Sequence, residues 1–319
     1  MGTIALKSVQ QVEVTTLMDN YIDILLESTP SVRRPPLAKE GRIPTDSLVA
    51  EHGLSLLVKT VGEGEQHTIM LDTGYNARSL IHNMEWLGID LSAIEAIVIS
   101  HSHMDHAGAL YPVVKKINRS VPLVVHPDIF ARHRILKTKD KGEIRFPDCY
   151  DRDHLAAAGV DLVERRGPTG LSGDTILVTG EVARVTDFEK GMPSAFVERN
   201  RELRPDPISD DQSLIVHLDG KGLVLITGCC HAGLINTLRY AQKITGIQEV
   251  HAVLGGLHLS GPAFAPIVER TIEELQRFNP ELVVPMHCTG WNSSRRLAEA
   301  FDKRFILNSV GTTYILGQS

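Results

Sequence analysis

The chain has 319 residues, of which 42% are hydrophobic and 23% are charged, and its formal net charge is −6. This composition is typical of a globular protein that buries a sizeable core. The basic residues form no long run, and Lys115 with Lys116 is one of several isolated pairs. A nucleic-acid partner is therefore not expected, because phosphate binding needs clustered positive charge.

The sequence also carries signals about compartment and partners. No apolar run approaches the roughly 18 residues of a membrane-spanning helix, and the first residues lack the basic flank and apolar centre of a signal peptide. The four cysteines include no pair with CxxC spacing, and Cys229 and Cys230 are adjacent, an arrangement that rarely closes a disulfide. We expect reduced thiols, a cytoplasmic location and a small-molecule substrate rather than a membrane partner. The oligomeric state stays open.

Short β-forming runs recur along the chain, and helical patterns fall between many of them. Strands are predicted at 12–17, 54–60, 68–71, 96–100, 123–126, 176–178, 213–218, 222–227, 251–254, 282–285 and 313–316. Apolar residues at helical spacing predict helices at 77–87 and 265–278. Early strands that look antiparallel and later strands separated by helices indicate an α/β fold. In this αββα sandwich, two mixed sheets pack face to face with helices outside.

Two proline-containing segments, 28–46 and 187–211, interrupt the regular patterns. We predict that both are long loop insertions in a single domain that spans 1–319. Long loops inside a compact domain are usually functional, so both are expected to form walls that select the substrate.

Four polar residues with metal-binding side chains follow the apolar strand at 96–100: His101, His103, Asp105 and His106. In an extended loop, His101 and His103 point to the same side and can reach one cation. Asp105 and His106 lie where the chain turns toward a helix and project toward a neighbouring position. Imidazole and carboxylate ligands suit Zn²⁺, and also Fe or Mn. The alternative, four polar side chains on a surface loop, would suit a single histidine better than this run.

Three later histidines share one layout, in which the histidine follows an apolar strand and is flanked by small residues. These are His231, His258 and His287. Open sheets collect their ligands at the carboxyl edge of the strands. One such histidine could be a core residue satisfied by a backbone carbonyl, but three with the same placement favour a functional site.

The H-x-H-x-D-H run at 101–106 resembles the signature of the metallo-β-lactamase superfamily, and Leu71-Asp72-Thr73-Gly74 resembles the strand and turn upstream of it. Three later stretches resemble a branch often labelled as dihydropterin–ribofuranosylaminobenzene phosphate synthase-like hydrolases. They read TGCCHAG at 227–233, GGLHL at 255–259 and PMHCTG at 285–290.

The resemblance implies a centre for two divalent transition metal ions, with Zn²⁺ expected first and Fe or Mn as alternatives. It assigns His101, His103 and His231 to the first metal, and Asp105, His106 and His287 to the second. Asp72 would accept hydrogen bonds that support the metal loop. His258 is left as a substrate contact or proton carrier, with a ligand or structural role as alternatives.

The chain departs from the superfamily at the residue that bridges the two metals. Many members carry an aspartate there, whereas this chain has Cys229. Asp211, before the preceding strand, is one candidate substitute, and Cys229 could also be a small core residue. Two further pairs, Asp19-Asn20 and His52-Gly53, look like branch features beside the site, or alternatively like a turn and the start of a strand.

These features predict an enzyme. A hydroxide held by such metals would hydrolyse an ester, lactone or phosphoester, since metal binding lowers the pKa of water from about 15.7 to about 7. Asp105 would orient this hydroxide, and His258 would be the acid toward the leaving group. Two other functions stay open: a synthase-type transfer joining a pterin to a phosphoribosyl aromatic amine, and metal binding without catalysis.

Overall fold

The computed structural model describes residues 2–38, 40–138 and 140–317, so Lys39, inside the first predicted insertion, lies outside the described residues, as do both ends of the predicted 1–319 domain. Nineteen β-strands form the framework of the described residues. In chain order they are β1 (Ser8–Val9), β2 (Gln11–Met18), β3 (Val32–Arg33), β4 (Ser55–Gly62), β5 (Glu65–Leu71), β6 (Ile94–Val98), β7 (Pro122–Val125), β8 (Arg134–Thr138), β9 (Gly142–Arg145), β10 (Asp161–Glu164), β11 (Thr169–Leu171), β12 (Ile176–Val178), β13 (Ala195–Arg199), β14 (Glu202–Pro205), β15 (Ser213–Leu218), β16 (Gly222–Thr227), β17 (Val250–Gly256), β18 (Leu282–Met286) and β19 (Thr313–Gly317).

The α-helices connect these strands and are short. They are α1 (Ala77–Trp86), α2 (Met104–Ala107), α3 (Leu110–Ile117), α4 (Arg152–Ala157), α5 (Leu234–Thr245), α6 (Val268–Phe278) and α7 (Trp291–Phe301). Left-handed residues end three of them, Asn118 after α3, Gly246 after α5 and Asn279 after α6. Glycine and asparagine adopt this conformation more readily than other residues. None of the helices in residues 2–38, 40–138 and 140–317 is long and apolar enough to cross a membrane.

Two mixed sheets form the body of the fold. The eight-stranded sheet has the order β10-β7-β6-β5-β4-β2-β19-β3, and the seven-stranded sheet has the order β11-β12-β15-β16-β17-β18, with β1 paired to β15. The strands β5, β6, β7 and β10 run parallel, as do β16, β17 and β18, and the other neighbours along these two orders are antiparallel. The mixture matches the predicted αββα sandwich.

The inner faces of the two sheets share one apolar core. Val14, Leu56 and Val98 of the eight-stranded sheet belong to the same buried cluster as Ile226 and Leu254 of the seven-stranded sheet. Alternation along each strand produces this arrangement, because successive side chains point to opposite faces. The predicted α/β sandwich with face-to-face sheets is therefore confirmed.

The outer faces are covered by helices. Leu80 of α1 and Leu110 of α3 pack on the eight-stranded sheet, in a second buried cluster. Leu238 of α5, Leu275 of α6 and Leu297 of α7 cover the seven-stranded sheet in a third. Because the helices lie on the outer faces of the sheets, the carboxyl ends of the parallel strands can carry the side chains of the site.

The second predicted insertion is not a loop throughout. Within 187–211, β13 and β14 form a hairpin, and they join β8 and β9 in a third sheet of order β14-β13-β8-β9. The prediction of irregular structure there was wrong, because both strands are short and only Ala195 and Val197 of β13 are buried, which is too brief an alternation to reveal a strand in sequence. In 28–46, the short strand β3 pairs with β19. The single-domain division stays a prediction.

The first testable expectation concerns the core between the sheets. Ile226→Ala should lower the free energy of unfolding by about 2–5 kcal/mol, because it leaves a cavity where a fully buried side chain was packed. Urea unfolding followed by circular dichroism measures this loss. Ile144→Ala is the matched control, since Ile144 is 41% exposed and should change stability by no more than about 0.5 kcal/mol. Equal losses in both variants would contradict the packing described.

Candidate metal centre

The predicted metal loop begins just after β6 and continues into α2. His103 has extended backbone angles (φ −65°, ψ 145°) immediately before α2 starts at Met104. The extended part turns His101 and His103 toward one another, whereas the first turn of α2 carries Asp105 and His106 to a neighbouring position. All four residues are buried.

The first cluster of ligand atoms is formed by histidines from two segments. His101 Nε2 lies 3.0 Å from His103 Nδ1 and 3.2 Å from His231 Nε2. His231 comes from the loop after β16, so the two inner sheets supply this cluster jointly. Cys229 Sγ joins His101 and His231 in a group whose ligand atoms all lie within 4.8 Å of one another.

The second cluster lies beside the first and includes a carboxylate. His106, Cys229 and His287 present ligand atoms within 4.8 Å of one another, and so do His52, Asp105 and His287. His287 Nε2 is 3.1 Å from Asp105 Oδ2, and His106 Nε2 is 3.1 Å from Cys229 Sγ. The predicted second set, Asp105, His106 and His287, is thus brought together, although its role as a ligand set stays a prediction.

The residues of both clusters fit a transition metal. His101 Nε2 lies 3.2 Å from His231 Nε2 and 3.0 Å from His103 Nδ1. Neutral imidazole nitrogens that converge in a buried place are the usual ligands of a transition metal, and a cation among them would accept a lone pair from each. The donor set of imidazole nitrogen, carboxylate oxygen and thiol sulfur is one that Zn²⁺ and Fe accept.

Burial and charge set the protonation of these side chains. Burial lowers the pKa of His101 and His231, and it lowers the pKa of His103 to about 3. These three imidazoles are therefore neutral at pH 7, the form that binds metal. Burial also opposes charge on His106, but the carboxylates of Asp72 and Asp105 outweigh it and raise the pKa of His106 to about 9.

Asp105 is a carboxylate in this site. Burial by itself would raise its pKa, but the neighbouring His106 and the hydrogen bonds from His287 and His52 outweigh burial and lower the pKa below the ordinary range. A charged carboxylate at this place balances the positive charge of His106 and can accept hydrogen bonds from bound molecules.

Asp72, at the end of β5, makes the contacts of its predicted role. Its carboxylate accepts hydrogen bonds from Ser100 N and Ser100 Oγ, both at 2.6 Å, and lies 2.6 Å from His106 Nδ1. This leaves Nε2 of His106 directed at Cys229. Gly228 makes room for the arrangement, because a Cβ there would lie 2.1 Å from Ser100 Oγ and 2.9 Å from Asp72 Oδ2.

The pairs Asp19-Asn20 and His52-Gly53 both lie against His287. Asp19 Oδ1 accepts the backbone N–H of His287 at 2.8 Å, and Asn20 Oδ1 lies 3.0 Å from His287 Nδ1. His52 Nε2 is 3.2 Å from Asp105 Oδ2, although its side chain is 65% exposed. Of the two interpretations left open by the sequence, the structure supports a position beside the site.

A buried ion pair below the metal loop was missed by the sequence reasoning. Asp210 Oδ2 accepts the backbone N–H of Ser102 at 2.9 Å, and Arg134 on β8 donates to both oxygens of Asp210. Nearby, the ring of Phe146 stacks on His103 at 4.5 Å. No local motif marks Arg134, Asp210 or Phe146, because they reach the metal loop only when β8 pairs with β13.

Asp211, the candidate bridging residue, has another position. Its Oδ2 accepts the backbone N–H of Ala232 at 2.9 Å, which holds the loop that carries His231. Burial raises the pKa of Asp211 to about 6. Among the described residues it belongs to none of the ligand groups, whereas Cys229 belongs to both histidine clusters.

His258 lies beside the first cluster, at the wall of a cavity. It follows β17 with a left-handed backbone (φ 42°), and its ring is 4.2 Å from that of His231. A cavity of about 90 Å³ adjoins both histidines, and Phe188, Lys190 and Phe264 also line it. His258 Nδ1 is buried without a hydrogen-bond partner within the described residues, and one ring nitrogen lies in a group with the sulfur atoms of Cys229 and Cys288, all within 4.8 Å of one another.

Two facing sheets with a buried histidine, aspartate and cysteine centre at one edge define a metallo-β-lactamase fold. Comparison with known proteins agrees, because residues 49–183, which include Asp72 and the metal loop, match the sequence model of the metallo-beta-lactamase superfamily. The resemblance to the metallo-β-lactamase superfamily that the sequence predicted is confirmed.

The chain is similar to two curated proteins of Methanocaldococcus jannaschii. A 7,8-dihydropterin-6-methyl-4-(beta-D-ribofuranosyl)-aminobenzene-5'-phosphate synthase is 29% identical over 262 residues, which cover 80% of this chain and 87% of that protein. An uncharacterized protein is also 29% identical over 262 residues, covering 82% of this chain and 92% of its own. The resemblance to the synthase-like branch therefore extends over most of the chain.

A solved structure has the same fold. The crystal structure of a metal-dependent hydrolase of the beta-lactamase superfamily superimposes with a TM-score of 0.71 at 23% sequence identity, covering 96% of this chain and 100% of that one.

The second expectation concerns the ion pair that supports the metal loop. Asp210→Asn should lower the free energy of unfolding by about 1.5–3 kcal/mol, because it weakens buried charged hydrogen bonds to Arg134 and the acceptor for Ser102 N–H, while Asp206 still lies 3.2 Å from Arg134 Nε. Chemical unfolding measures the loss. Glu143→Gln is the control: it breaks the exposed pair with Lys137 and should cost at most about 1 kcal/mol. A loss of that small size in Asp210→Asn would show that the pair does not stabilise the loop.

Proposed function

We propose that the chain is a metal-dependent hydrolase that acts on a small ester, lactone or phosphoester. His101, His103 and His231 would hold one metal ion, and Asp105, His106 and His287 would hold a second. The observation that supports this proposal is the convergence of ligand atoms from three separate segments, with His101 Nε2 at 3.0 Å and 3.2 Å from two other imidazoles. Zn²⁺ is the first expectation, with Fe or Mn as alternatives.

Metal ions bound there would supply a nucleophilic hydroxide at neutral pH and polarise a carbonyl or phosphoryl oxygen. The protein's own groups have separable tasks. Asp105 is charged, and the hydrogen bonds from His287 and His52 fix its orientation, so it can orient the proton of an attacking water. His258, on the side of the first cluster, would donate a proton to a leaving group.

The cavity beside His231 and His258 supports a small, partly aromatic substrate. Phe188 and Phe264 offer apolar ring surfaces, and Lys190 offers a positive charge. Lys190 and Phe188 come from the beginning of the segment 187–211, before its hairpin. We therefore keep the proposal that this segment selects the substrate, but only for its first residues.

A synthase-type transfer on the same metal site is the second candidate. It is supported by the 29% identical relative from Methanocaldococcus jannaschii, which is a synthase. The two functions differ in one observable: a hydrolase consumes water and releases an acid from a single substrate, whereas a synthase requires two organic substrates. Metal binding with no turnover of esters, lactones, phosphoesters or paired pterin and phosphoribosyl amine substrates would leave a binding protein.

The third expectation tests the metal centre. Elemental analysis of the purified chain should find one to two equivalents of Zn, Fe or Mn, and His103→Ala should lower the metal content and abolish turnover while the circular dichroism spectrum stays unchanged. The reason is the loss of one ligand from a preformed site. His154→Ala, on exposed α4, is the control and should behave like the wild type. Absence of transition metal even after reconstitution would refute the proposal.

The fourth expectation tests His258 as a proton donor. His258→Asn should lower turnover about 10²–10⁴-fold for a substrate with a poor leaving group, and much less for a nitrophenyl analogue that leaves without a proton. Asparagine tolerates the left-handed backbone at this position, so the loop geometry should persist. Equal rate losses on both substrates would assign His258 to binding or structure instead.

A further inference from the structure

Cys229 lies between the two histidine clusters. It follows β16 after Gly228 and is 2% exposed. Its Sγ belongs both to the group with His101 and His231 and to the group with His106 and His287. Among the described residues, no other side chain is shared by these two groups.

The surroundings of Cys229 differ from those of an ordinary packed cysteine. Its neighbour Cys230 belongs to the apolar cluster under α5 and contacts Thr237 Oγ1 at 3.4 Å. Cys229 belongs to none of the three apolar clusters of the described chain, and its Sγ is instead 3.1 Å from His106 Nε2. A small buried thiol that points at imidazole nitrogens rather than at apolar side chains is placed as a ligand.

Close backbone packing fixes the position of this sulfur. A Cβ at Gly228 would collide with Ser100, and a Cβ at Gly256 would lie 2.3 Å from Gly228 O and 2.8 Å from Cys288 Sγ. Cys288 Sγ also donates to Cys229 O at 3.6 Å. Gly256 therefore lets β17 approach the backbone that follows β16, and Gly228 lets this backbone approach Ser100. Together the two glycines hold Cys229 at the centre of the site.

We propose that the thiolate of Cys229 is the ligand shared by the two metal positions, in the place where many superfamily members have a carboxylate. This inference rests on the metal centre of the proposed function. A thiolate sulfur has more than one lone pair and can contact two ions. Soft sulfur ligands favour Zn²⁺ and Fe over Mn²⁺ and Mg²⁺, so Cys229 also narrows the metals that the site accepts.

The experiment uses the full chain, stripped with a chelator and reloaded with Co²⁺. Wild type should bind two equivalents and show a thiolate-to-cobalt charge-transfer band in the near ultraviolet. Cys229→Ala should lose this band and bind the second equivalent at least about tenfold more weakly. Cys229→Asp should recover two equivalents without the band and should bind Mn²⁺ better relative to Zn²⁺ than wild type does. Cys230→Ala is the matched control and should retain both the band and the stoichiometry.

A second variant keeps the test decisive if Cys229→Ala does not fold. A chain that retains Cys229 but has alanine at Cys149, Cys230 and Cys288 should keep the band, which would then come from Cys229 alone. Loss of the band in this chain, or its persistence in Cys229→Ala, overturns the inference. Two bound equivalents with no thiolate band in wild type also overturn it but leave the proposed function standing, whereas no bound metal refutes the proposed function itself.

Discussion

The buried carboxylate of Asp72 is the constraint on which the rest of the site depends. It has no exposure to solvent and a left-handed backbone (φ 60°), and its two oxygens bind Ser100 and the Nδ1 atom of His106. Hydrogen bonds to a charged acceptor are stronger than neutral ones. Because Asp72 occupies Nδ1 of His106, the opposite nitrogen faces Cys229, and the geometry of the second cluster follows from this contact.

The same kind of hydrogen bond, from a backbone N–H to a buried aspartate, recurs around the candidate metal centre. Four buried aspartates each accept a backbone N–H from a segment that carries candidate ligands. The pairs are Asp72 with Ser100, Asp210 with Ser102, Asp211 with Ala232, and Asp19 with His287. Irregular loops have no ladder of hydrogen bonds, so these carboxylates supply the fixed partners that hold the ligands in place.

The candidate metal ligands and the lining of the cavity come from different parts of the molecule. The two large sheets supply the candidate ligands, whereas residues of the segment before β13 and of the loop after β17 line the cavity beside His258. Substitutions on that wall can change the substrate without moving a metal ligand. The hydrolase and synthase proposals therefore share one candidate centre, and they differ in the molecules that this wall would have to admit.

The sequence by itself predicted the candidate ligand residues, most strands of the two large sheets and the order of both along the chain. The run at 101–106 and the histidines at strand ends are local patterns, and alternation of apolar residues marks strands such as β16 and β17. Tertiary structure alone decided which ligands meet, that Cys229 and not Asp211 lies between the clusters, and that Asp210 and Arg134 support Ser102. It also revealed the hairpin of β13 and β14, whose exposed residues carry no apolar period. These contacts join residues far apart in sequence, and they depend on the pairing of whole strands, which no local pattern encodes.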